Sequence, residues 1–126
     1  MHTFTYIFQN GKGCYTFVFK SEKLADDIIF LARSLGFKAF KKEIQQTCTN
    51  GKNGPVTGTY YRFVIYGEGL EKVPSLLKRK QAKVRKQKKN ASVTAISVKY
   101  VGKQDYYILD TDKNRFLLDD FTIVHK

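Results

Sequence analysis

Eight of the twelve residues from Lys78 to Lys89 are cationic (Lys78, Arg79, Lys80, Lys83, Arg85, Lys86, Lys88 and Lys89), and none is acidic. Ammonium and guanidinium groups at this density neutralise phosphates and release condensed counterions, so the chemistry they suit is binding of a polyanion, double-stranded DNA first of all. A run of this kind also serves as a solvated helix face or a linker. Two further cations, Lys42 and Arg62, lie in alternating stretches and are candidates for phosphate contacts. Candidates for bond-making chemistry are few. Histidine occurs only at positions 2 and 125, and Cys14 and Cys48 lack the spacing of a metal-ligand pair, so no metal or cofactor is expected in this chain. Asp26 and Asp27, at i and i+1 of a helical pattern, point in different directions and read as carboxylates that complement a helix dipole.

The basic run divides the 126-residue chain by charge. Residues 90–126 carry five basic side chains (Lys99, Lys103, Lys113, Arg115, Lys126) and five acidic ones (Asp105, Asp110, Asp112, Asp119, Asp120), so the formal +12 resides in residues 1–89. A hydrophobic content of 42% is that of a globular chain, and the length suits one compact domain or two incomplete ones. A membrane surface fits less well than nucleic acid as a partner, because no long amphipathic helix carries the charge, and nothing marks a small-molecule substrate. Met1–Phe8 alternates instead of forming the apolar core of a signal peptide, and no apolar run reaches membrane-spanning length. With two lone thiols, the expectation is an intracellular protein, cytoplasmic or nuclear, that is not secreted.

The elements that must position these residues follow from periodicity. Thr3–Phe8 and Cys14–Lys20 alternate as half-buried strands around a Gly-rich loop and predict an antiparallel hairpin. Ser21 is an N-cap, Gly36 a C-terminal stop, and Leu24, Ile28, Leu31, Ala32 and Leu35 between them predict a helix over about 22–35. Phe37–Thr47 and Thr59–Gly67 predict a second hairpin. On its last strand Tyr61, Phe63 and Ile65 share one face, and Tyr60, Arg62, Val64 and Tyr66 the other. Pro74 suits the first turn of a short helix into Leu76 and Leu77. Helices on one side of a four-stranded sheet leave the other side open, either as a reader of phosphates and base edges or as the wet face of an ordinary α+β layer. Beyond the basic run, Val93–Tyr100, Asp105–Leu109, Asn114–Leu118 and Phe121–Val124 read as short strands, too few residues to bury a core of their own.

Two stretches carry a family resemblance. Ser21–Phe37 (SEKLADDIIFLARSLGF) and Thr59–Lys80 (TYYRFVIYGEGLEKVPSLLKRK) resemble the helix after the first hairpin and the second hairpin with its exit helix in the LAGLIDADG homing endonucleases found within inteins. Asp105–Lys126 (DYYILDTDKNRFLLDDFTIVHK) resembles the C-terminal splicing motifs of an intein, of the Hint fold shared with hedgehog autoprocessing domains. The resemblance implies an α+β chain. Residues 1–77 would be a partial LAGLIDADG half-domain (β-hairpin, helix, β-hairpin, helix), 78–90 a basic connector, and 91–126 the short all-β strands of a Hint-type splicing domain. In the intact family a signature helix supplies the carboxylate that binds catalytic Mg²⁺. Residues 1–80 contain no match to that helix, so a metal-dependent cleaving site is not expected here.

For the terminal segment the resemblance implies self-cleavage through a final Asn, whose carboxamide cyclises with help from a penultimate His. His125 matches that His, and Asp105 matches the acidic position of the motif. Either also reads as an ordinary surface residue. Lys126 stands where the cyclising Asn belongs and has no carboxamide. The expected function is that of a remnant of an intein-encoded homing endonuclease, inactive alone and retaining at most DNA binding. The alternatives are one half of a split intein that works with an upstream fragment, and a small basic nucleic-acid-binding protein.

Overall fold

The computed structural model describes residues 13–49, 51–84, 86, 89–90 and 92–125, which separate into two compact units, Met1–Ser92 and Val93–Lys126. In the first, strand β1 (Cys14–Phe19), helix α1 (Glu22–Ser34), β2 (Lys38–Cys48) and β3 (Val56–Tyr66) follow one another. The strands form an antiparallel sheet in the order β1-β3-β2. Phe17 faces Phe63 across one ladder and Lys41 faces Phe63 across the other, so these three side chains share a side of the sheet.

Local signals account for α1. The Ser21 hydroxyl accepts the Leu24 amide at 3.2 Å, satisfying one of the orphan donors of the first turn. Gly36 reverses the chain after the helix at φ +85°, a conformation that disfavours a side chain. The helix packs on the sheet through Ala25, Ile29 and Ala32. This differs from the expected stripe, since Leu24, Leu31 and Leu35 stay exposed. The reason is in the sheet: β1 and β3 present large rings, and small alanines let the helix approach them. Phe63 is fully buried, stacked on Phe17 at 5.1 Å between ring centres and tilted against Phe19 at 5.3 Å.

The expected fold class is overturned. A LAGLIDADG half-domain alternates hairpins with helices, whereas the described chain has more strand than helix, with one α-helix and two small sheets. The helix expected from Pro74 is replaced by two 3-10 turns, Leu70–Lys72 and Lys78–Lys80. Val73, as the residue before proline, is extended, and Leu77 is extended again at φ −99°, ψ 108°. Strand β1 pairs with β3 along one edge, and the first strand of the expected first hairpin, Thr3–Phe8, lies outside the described residues.

In the second unit, β4 (Arg115–Leu117) and β5 (Ile123–His125) form a two-stranded ribbon, with Arg115 opposite His125. The expected strands Val93–Tyr100 and Asp105–Leu109 belong to no sheet, and Ile96, Val98, Tyr100, Tyr106 and Tyr107 are exposed. Alternation supplies a propensity, but a strand needs a ladder partner, and 34 residues give little apolar surface to hold one. These short segments therefore do not form the all-β Hint strands expected of them. Among the described residues no helix is long and apolar enough to cross a membrane.

Candidate nucleic-acid interface

Strand period places alternate residues of β2 and β3 on opposite sides, and the two sides differ sharply in charge. On the helix side, Lys41 donates to Glu22 at 2.8 Å and to Asp26 at 2.5 Å, and its ammonium lies 5.5 Å from the centre of the Tyr61 ring. The Asp26 and Glu22 carboxylates hold the Lys41 ammonium above its ordinary pKa. Partial burial, with the nearby Glu22 and Glu43 charges, pushes the Tyr61 phenol up. Asp27 pairs with Lys23 at 3.0 Å. The acids of α1 are thus ion-pair partners, Glu22 and Asp26 to Lys41 of β2 and Asp27 within the helix itself. Arg33 ties the other helix end to β2, donating to the Ala39 carbonyl through Nη2 at 2.9 Å and Nε at 3.2 Å.

The opposite side carries Lys38, Phe40, Lys42, Ile44 and Gln46 from β2 and Tyr60, Arg62, Val64 and Tyr66 from β3; neither strand places a carboxylate there, since Glu43 of β2 falls on the helix side. Lys42 and Arg62 are direct cross-strand partners, both exposed. Opposed side chains in an antiparallel pair stand about 5 Å apart, and like charges there are destabilising. An anion between them removes that penalty. Aromatic rings flank the pair: Phe40 and Tyr66 lie 6.3 Å apart, and the Lys38 ammonium sits 5.5 Å from the Phe40 ring centre.

The structure brings together only some of the residues expected to act together. Lys42 and Arg62 share this open side. Lys80, by contrast, lines an apolar groove of about 510 Å³ with Tyr15, Phe17, Leu31 and Leu35, on the helix side of the sheet. Lys78 and Arg79 are exposed in the same 3-10 turn. Lys83, Lys86 and Lys89 follow, exposed and outside any helix or strand, while Arg85 and Lys88 lie outside the described residues. His125 is exposed on β5, Asp105 is exposed outside the ribbon, and no hydrogen bond or ion pair among the described residues links the two. Lys126 lies outside the described residues.

Lys38 and Phe40 were not singled out in the sequence, although period two along β2 puts them on the side of Lys42. The groove is largely apolar, with Tyr15, Ser75 and Lys80 as the lining residues that carry polar side-chain groups. Comparisons with family models, with curated proteins and with solved structures give no significant match to this chain.

Proposed function

We propose that this chain is the remnant of an intein-encoded homing endonuclease that keeps a DNA-binding surface and neither cuts nor splices by itself. The resemblance of its wording to inteins supports the ancestry. The observation that carries DNA binding is the exposed Lys42–Arg62 pair on a side of β2 and β3 without acids. On this side of the sheet Arg62 and Gln46 suit base edges and Lys42 a phosphate. The basic run leaves from the other side. The seven Cα-to-Cα steps from Ala82 to Lys89 span up to about 23 Å when extended, enough to reach a flanking backbone.

Titration of a labelled duplex by anisotropy at several salt concentrations tests this. Affinity falls steeply with salt, each phosphate contact contributing about 0.9 to the slope of log K against log salt. Exchanging Lys83, Arg85, Lys86, Lys88 and Lys89 for Gln flattens the slope. A chain that shows no binding at low salt refutes the proposal, and an unchanged slope removes the run from the interface.

A second reading, a split half acting with an upstream fragment, is favoured by the exposed apolar side chains of Ile96, Val98, Tyr100, Tyr106 and Tyr107, the last 97% exposed. Mixing the chain with the N-terminal segment of a similar intein then protects these residues from hydrogen exchange. Unchanged exchange after mixing speaks against a split half.

A further inference from the structure

The backbone from Glu71 to Ala82 has no helix or ladder beyond its two 3-10 turns, so its polar groups need other partners. Gln81 and Tyr15 provide them. The Gln81 carboxamide oxygen accepts the Ser75 amide at 2.8 Å, and its nitrogen donates to the carbonyls of Val73 at 2.8 Å and Glu71 at 2.9 Å. The Tyr15 hydroxyl, 3.3 Å from that nitrogen, donates to the Val73 carbonyl at 3.2 Å and accepts the Ala82 amide at 2.9 Å. Tyr15 and Ala82 are both buried in the core cluster. The fixed point falls within the basic run, after its first three cations and before its last five.

We infer that Tyr15 and Gln81 are positioning residues: their hydrogen-bonded lock on β1 fixes where Lys83–Lys89 departs, so that the run and the Lys42–Arg62 side engage one duplex together. This rests on the DNA-binding reading. The lock acts through effective concentration. A tethered second contact with a fixed origin gains affinity that a loosely hung one loses, without any change in the number of charges. Loss of the lock therefore weakens binding and leaves the salt slope alone, whereas loss of the cations themselves changes the slope.

The test uses the full chain with Tyr15→Phe, which keeps the buried ring, and Gln81→Ala, each checked by its circular-dichroism melt. Limited trypsin digestion reads the lock without DNA. The native chain is cut within Lys83–Lys89 well before Lys78–Lys80, and the variants are cut at both at comparable rates. Duplex affinity at fixed salt falls about tenfold in either variant with the slope unchanged. An unaltered trypsin pattern in both variants overturns the lock. An opened lock with undiminished affinity overturns its positioning role and leaves the DNA reading standing. Absence of duplex binding by the native chain overturns that reading and this inference with it, even if the trypsin pattern changes as described.

Discussion

Exchange of Arg62 and Lys42 together for Gln lowers affinity for duplex DNA about a hundredfold, while the chain stays as stable as before. Hydrogen bonds to charged groups are worth roughly 1.5 kcal/mol each, about tenfold apiece. The slope of log K against log salt drops by about 1.8 if both contact phosphate. If Arg62 reaches a base edge instead, the slope drops by about 0.9 and selectivity among sequences relaxes. Stability is preserved because the two cations are direct neighbours on an exposed surface, where removing like charges relieves repulsion. Lys41→Gln is the control. It removes a cation one position away, but on the side of the helix, where Glu22 and Asp26 already neutralise it. Its affinity for DNA stays within about twofold of the native chain, since a paired, oppositely directed charge adds little to binding. Equal losses from Lys41→Gln and Lys42→Gln would mean that net charge, and not a face of the sheet, recognises the polyanion.

Phe63→Ala removes most of the stability of the first unit. Phe63 is fully buried at the centre of the sheet, between Phe17 and Phe19 and beneath the alanines of α1. Truncating such a ring costs about 3–5 kcal/mol, from lost transfer energy and from the cavity left behind. Small domains are stable by only about 5–15 kcal/mol, so the variant is expected to unfold at far lower urea, or to lose its cooperative transition. Phe40→Ala, on the open side, shifts the same transition by about 0.5 kcal/mol or less, because its ring is 46% exposed. Urea titrations followed by far-ultraviolet circular dichroism compare the two. A Phe63→Ala midpoint close to that of Phe40→Ala would place the core elsewhere.

Local features of the amino-acid sequence determined a good deal of this architecture. Ser21 and Gly36 bracket α1 because capping and left-handed termination involve only the residues at the ends. The two faces of β3 were legible from period two alone: Phe63 and Ile65 are buried, and Arg62 is exposed. The strongly cationic run announced itself by composition. The tertiary structure alone decided the rest. Alternation cannot say which strand will accept another's hydrogen bonds, so the pairing of β1 with β3 was hidden, as was the exclusion of residues 93–100 from both sheets. The buried stripe of α1 depended on the bulk of rings more than thirty residues away in β3. Lys41 and Lys42 are adjacent cations of the same type. Only packing of α1 against one side of the sheet made the first an ion-pair partner of Glu22 and Asp26 and left the second facing Arg62. Likewise, Gln81 is an unremarked polar residue within a basic run until the fold brings Tyr15, 66 positions away in sequence, to its side chain. Local signals act over one or two turns of chain, whereas burial, pairing and charge compensation depend on neighbours that only folding supplies.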